Sequence, residues 1–154
     1  MKTSALILFA CVLTTACAAT PWQGTALDPA QMTFADELGI DLSQMEQLEP
    51  GLYMVDAAEG VGAMANRTSR VWIHYVVWLP DGTVVDTSVG GEPFHFRLGG
   101  NEVIKGWNKA IPGMRIGGRR WLVVRPGLAY GSRGTGNVPP DATLVFEVQL
   151  MNVG

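Results

Sequence analysis

Asn101-Glu102-Val103-Ile104-Lys105-Gly106-Trp107 is the stretch on which the fold turns. Gly99 and Gly100 end an extended segment before it, and Pro112-Gly113 closes it after Ile111. Between them Val103, Ile104, Trp107 and Ile111 recur at helical spacing. The pattern predicts a turn running into one short amphipathic helix, with Trp107 at the centre of its apolar stripe. The sequence around it is β-like. Arg70 to Leu79 alternates on two largely apolar faces, Val71, Ile73, Tyr75 and Val77 against Trp72, His74, Val76 and Trp78, as a central strand does. Pro80-Asp81-Gly82 reads as a turn and Thr83 to Asp86 as the returning hairpin arm. Further strands are expected at Leu52–Val55, at Phe94–Leu98, at Arg119–Arg125 and at Ala142–Val153, where Leu144, Phe146, Val148 and Leu150 share a face. A lone helix among strands must pack across the concave side of their sheet. The expected fold is therefore α+β, a curved antiparallel β-sheet half-wrapped around one short α-helix. The glycine-rich stretch Pro126–Asp141 is a long loop, and loops of that length in a compact domain are usually functional.

With 154 residues the chain holds one domain and an extension, and 47% hydrophobic against 16% charged residues marks a folded protein. A formal charge of −3 and the lack of a basic run argue against nucleic acid as a partner. Residues 1–17 read as an export signal: Lys2 supplies the positive start, and Ala5 to Leu13 is apolar but too short to span a bilayer. Two cleavage readings stand. Ala16-Cys17-Ala18 is an A-x-A site, while Ala16 directly before Cys17 resembles a bacterial lipobox, with Thr14 where leucine is usual. In the second reading Cys17 is acylated and becomes the mature N-terminus, which accounts for a lone thiol in an exported chain, since Cys11 lies in the apolar run. The expectation is a periplasmic lipoprotein anchored through Cys17, at the outer membrane because Ala18 is not aspartate. Residues 18–49 are acidic, with Phe34, Leu38, Leu42, Met45 and Leu48 near helical spacing. They predict a tether of one or two amphipathic helices that docks on the domain or acts as a dimerisation arm. The domain proper is placed at residues 50–154.

Several chemistries find no residues here. No cysteine follows Cys17, and only two histidines exist, His74 and His95, both read as surface or edge positions. No Cys/His/Asp cluster has metal-ligand spacing, no serine sits in a G-x-S-x-G elbow, and Gly131, Gly134 and Gly136 precede no Gly-Lys-Ser/Thr. Asn66-Arg67-Thr68 fits the N-glycosylation pattern, a chance match behind a bacterial-looking signal. An aromatic, apolar pocket with a few hydroxyls remains, and neither metal nor cofactor is expected.

Six pieces of sequence, in order, resemble the FKBP-type peptidyl-prolyl cis-trans isomerases over Pro50 to Gly154. They are Val71-x-x-His74-Tyr75; Asp81-Gly82 with Asp86-Thr87-Ser88; and Pro93-Phe94-x-Phe96-x-Leu98-Gly99. The others are Glu102-Val103-Ile104-Lys105-Gly106-Trp107; Leu128-Ala129-Tyr130-Gly131; and Val138-Pro139-Pro140 leading into Ala142–Val148. The resemblance implies rotation about X–Pro bonds, with proline-containing polypeptides as substrates and macrolide immunosuppressants as inhibitors. It implies Trp107 as the floor under the proline ring, with Tyr75, Phe94, Val103, Ile104 and Phe146 as walls. It further implies substrate hydrogen bonds from the Ile104 N–H and the Tyr130 hydroxyl, Asp86 facing the carbonyl of the twisting bond, and Gly131–Val138 as a flap. Val85, Phe96 and Val138 are the implied neighbours of the substrate. The chain departs from the family pattern at Val85, where an aromatic wall residue is usual, and at Leu128, which replaces a frequent aromatic. Val89-Gly90-Gly91-Glu92 is short and lacks the basic residue that often pairs the aspartate, so a less firmly oriented Asp86 is expected. The flap is also about one residue short.

Overall fold

The helix α1 spans Lys105–Ala110 and lies across a sheet of seven antiparallel strands in the computed structural model, which describes residues 28–154. The strands are β1 (Glu46–Glu49), β2 (Leu52–Ala58), β3 (Arg70–Trp78), β4 (Val84–Thr87), β5 (Phe94–Arg97), β6 (Arg119–Val124) and β7 (Leu144–Val153). Their order is β1-β2-β6-β7-β3-β4, and β5 pairs with the other half of the same β3 edge, Ile73 opposite Phe94 and Val77 opposite Asp86. The α+β fold expected from the sequence is the one observed.

The alternation read in the sequence becomes two faces. Val71, Ile73, Val77, Leu122, Val124, Leu144, Phe146, Val148 and Leu150 point inward and bury Trp107, Ala110 and Ile111 of the helical segment. Hydrophobic burial holds this layer, since each such side chain contributes about 1.5–3 kcal/mol when removed from water. The helix sits close to the sheet because position 106 is glycine. A Cβ there would fall 2.7 Å from Cγ1 of Val124, closer than carbon atoms approach.

The extension differs from the expected amphipathic helices. It forms three single turns of 3-10 helix, Pro29–Gln31, Asp36–Leu38 and Leu42–Gln44, and then the strand β1. Asp28 and Asp41 cap the starts of the first and third turns, their carboxylates accepting from the N–H two residues on, at Ala30 (3.0 Å) and Ser43 (2.9 Å), and Gly39 at φ 58° ends the middle turn. Glu46–Glu49 pairs with β2, so the sheet begins before residue 50. The apolar residues still find a surface: Phe34, Leu38, Leu42 and Met45 cover the convex face of the sheet against Tyr53, Val123, Val145 and the stacked pair Trp78–Trp121 (5.2 Å). Leu48 is exposed. The chain thus has three layers, helix, sheet and strap. Residues 1–17, expected to be an export signal, and with them Cys17 lie outside the described residues, and no helix within the described residues is long and apolar enough to cross a membrane.

One buried ion pair holds the inner layer at the end away from the turn Pro80–Gly82. Arg120 on β6 lies opposite Asp56 on β2, and its Nε and Nη2 donate to the two carboxylate oxygens at 2.7 and 2.8 Å. Its Nη1 donates to the Ala110 carbonyl at the end of α1. The fork satisfies a helix carbonyl that would otherwise lack a donor.

Candidate active site

β4 and β5 leave a gap along the β3 edge, and beside it opens a cavity of about 430 Å³. Trp107 forms its floor. The indole is 6% exposed and braced by rings on four sides: Tyr75 (5.2 Å), Phe146 (5.5 Å), Phe96 (5.6 Å) and Phe94 (6.2 Å) between centroids. Its Nε1 is buried without a hydrogen-bond partner among the described residues. The floor therefore offers a flat apolar face.

The polar edge is built from β3 and β4. The Tyr75 hydroxyl donates to Asp86 Oδ2 at 2.7 Å, and Asp86 Oδ1 accepts the Thr87 N–H at 2.8 Å. Thr87 Oγ1 donates to the Tyr75 carbonyl, while Ser88 Oγ accepts the Tyr75 N–H and contacts His74 Nδ1 at 3.1 Å. Asp86 thus accepts from two donors and, as the shortened loop suggested, has no basic partner among the described residues. Burial, then the hydrogen bond to Asp86 and the charges of Asp86 and Tyr130, raise the Tyr75 phenol well above the ordinary tyrosine range. Burial and then Asp86 likewise raise Tyr130, across the cavity. Both rings keep their protons at neutral pH.

A β-bulge explains why two consecutive residues face one cavity. Val77 pairs with Asp86 and Trp78 with Val84, which leaves Val85 as the extra residue. In regular strand Val85 and Asp86 would point to opposite faces; the bulge turns both toward the pocket.

Most residues singled out in the sequence meet here. Tyr75, Val85, Asp86, Phe94, Val103, Trp107, Tyr130, Val138 and Phe146 all line the cavity. Two do not. Phe96 is fully buried and stacks behind Trp107, and the Ile104 side chain is packed in the core. Ile104 offers its backbone instead: it caps α1 at ψ 150°, and its N–H has no partner within the described residues.

The FKBP-type peptidyl-prolyl cis-trans isomerase family matches residues 62–151. This chain belongs to that family. It is 42% identical to the FK506-binding protein of Neisseria meningitidis serogroup B, over 67% of this chain and 96% of the relative. It is 38% identical to FK506-binding protein 3 of Yarrowia lipolytica over 70% of this chain, but spans about a quarter of that longer fungal protein. Among solved structures, a peptidyl-prolyl cis-trans isomerase from Pseudomonas syringae pv. tomato superposes with a TM-score of 0.64 at 36% identity, covering 72% of this chain and 81% of that one. AtFKBP13 gives 0.63 at 38% identity, covering 68% and 94%.

Within this FKBP-type domain, sequence reasoning missed two wall residues. Val77 follows Tyr75 on the inward face of β3, so its parity was a usable signal. Glu102 also lines the cavity and was missed, whereas Thr135, Gly136 and Asn137 belong to the segment expected as a flap. Asn137 Nδ2 donates to the Val85 carbonyl at 3.3 Å and ties the flap to the bulge. No spacing rule would have found that bond.

Proposed function

We propose that the chain is an exported peptidyl-prolyl cis-trans isomerase that turns X–Pro bonds of polypeptides folding in the cell envelope. The observation that carries the proposal is the aromatic cup floored by Trp107, with the Tyr75–Asp86 bond at its edge. Rotation about an X–Pro bond must break amide resonance against a barrier of about 18–20 kcal/mol and takes tens to hundreds of seconds unaided. A planar amide is the more dipolar form, so a dry apolar cup disfavours it relative to the twisted one. The free Ile104 N–H and the Tyr130 hydroxyl are suited to hold the flanking carbonyls while the bond turns. Only contacts that strengthen at the twisted geometry raise the rate. No proton moves, and both phenols stay protonated, so the rate should be flat from about pH 6 to 9. The raised Tyr75 value adds to stability below its ordinary pKa of about 10 and fades only at higher pH.

The test is cis–trans exchange of an Ala-Leu-Pro-Phe-type peptide measured by NMR. Wild type should accelerate exchange, and Asp86→Ala should slow it by about tenfold, the loss expected for one charge-assisted hydrogen bond. Shifted resonances without acceleration would leave a proline-binding module, the reading favoured by the shallow wall at Val85. Relatives named for FK506 binding support a macrolide as a competitor for the same cup.

The same proposal puts Cys17 at the mature N-terminus under a lipid, on the strength of the apolar run and Ala16-Cys17. Metabolic labelling with a fatty-acid analogue should mark wild type and not Cys17→Ser. An unlabelled, soluble wild type would favour cleavage at the A-x-A site.

A further inference from the structure

We propose that the N-terminal strap positions the site: residues 34–45 hold the β3–β4 turn and, through it, the strand that presents Val85 and Asp86. β4 is four residues long, lies at the end of the sheet with β3 as its only strand partner among the described residues, and has its ladder interrupted by the bulge. Such a strand is weakly fixed by its own pairing. Its far side is tied to the flap through Asn137, itself part of an exposed loop. Its turn is tied to the strap. The turn closes through Gly82 N–H to the Leu79 carbonyl (3.0 Å) and Leu79 N–H to the Thr83 carbonyl (2.8 Å), which leaves the Pro80 carbonyl facing outward. Ala35 N–H donates to that carbonyl at 2.8 Å. The Glu37 carboxylate lies over Gly82, where a Cβ would come within 2.6 Å of its Oε1. Leu38 and Met45 anchor the strap beside Trp78, the last residue of β3. The strap, turn and β4 thus form one connected body whose far end is Asp86. Ala35 is a positioning residue, since it touches neither pocket nor substrate.

Ala35→Pro tests the link in the full-length chain. Its φ of −60° already suits proline, so the substitution chiefly removes the N–H and places a ring carbon against the Pro80 carbonyl. Amide exchange in β4 should quicken about fivefold, the effect of losing one ordinary hydrogen bond. On the isomerase reading, on which this arm rests, kcat should fall about fivefold with KM unchanged. Ala35→Ser keeps the N–H and should behave as wild type. In an Asp86→Ala background, Ala35→Pro should cost no further activity, because its effect passes through Asp86. Unchanged β4 exchange in Ala35→Pro, or an equal loss of activity in both backgrounds, would overturn the proposal. If wild type shows no turnover, the isomerase reading fails while β4 exchange still decides the strap. If Ala35→Pro does not fold, native-state exchange on wild type decides: the Ala35, Gly82 and β4 amides must open together, and separate openings would overturn the link.

Discussion

Trp107→Ala is expected to lower stability by about 3–5 kcal/mol, the usual cost of deleting a buried large aromatic, and to abolish peptide binding in the cup. The ring is braced by Tyr75, Phe94, Phe96 and Phe146, so its removal leaves a void under the pocket as well as an absent floor. Urea denaturation measures the first effect and peptide titration the second. Trp107→Leu separates them. It refills part of the space and should recover part of the stability, but it supplies no flat face and should leave peptide binding weak. Recovery of both by leucine would mean that the floor acts by volume alone.

Asp56→Ala should destabilise by about 3 kcal/mol, near the lower end of the cost of orphaning one member of a buried ion pair. The two members are unequally placed. The Arg120 side chain is 7% exposed and that of Asp56 35%, so water can reach a solitary Asp56 but not a solitary Arg120. Arg120→Met should therefore cost less than Asp56→Ala, although it also frees the Ala110 carbonyl. Urea unfolding of the two variants and their double mutant measures the order. Equal losses would mean that water reaches a solitary Arg120 as readily as a solitary Asp56.

Six of the seven strands and the helix were legible because their patterns are two-sided and local; β1 lay inside a stretch read as helical. Alternation along Arg70–Trp78 and Leu144–Val153 marked inward residues one by one, and glycines and prolines marked the ends. The buried ion pair was legible too, though it went unread. Parity places Arg120 with Leu122 and Val124, and Asp56 with Leu52 and Met54, so two opposite charges were aligned on the inward side. Other features depend on relations that sequence spacing does not contain. The helical spacing of Phe34, Leu38, Leu42 and Met45 was real, yet a strap laid along a sheet satisfies it as well as a helix does. The facing of both Val85 and Asp86 into the cavity needs the bulge, which follows from how β4 pairs with β3. The resemblance to the family supplied the pocket residues that composition alone would have left in the core, Trp107 first among them.

The place of β7 in the sheet has a consequence for how the chain acquires its shape. The last of the described strands lies between β6 and β3 and joins the two halves of the sheet. Until residues 144–153 have been synthesised, β3 with its hairpin and β2 with β6 have no common partner. Pairings so distant along the chain form slowly, because the loops must close before the contacts reward them. A nascent chain of this order therefore stays open until β7 has been made, a state in which unpaired strand edges must be kept from aggregating.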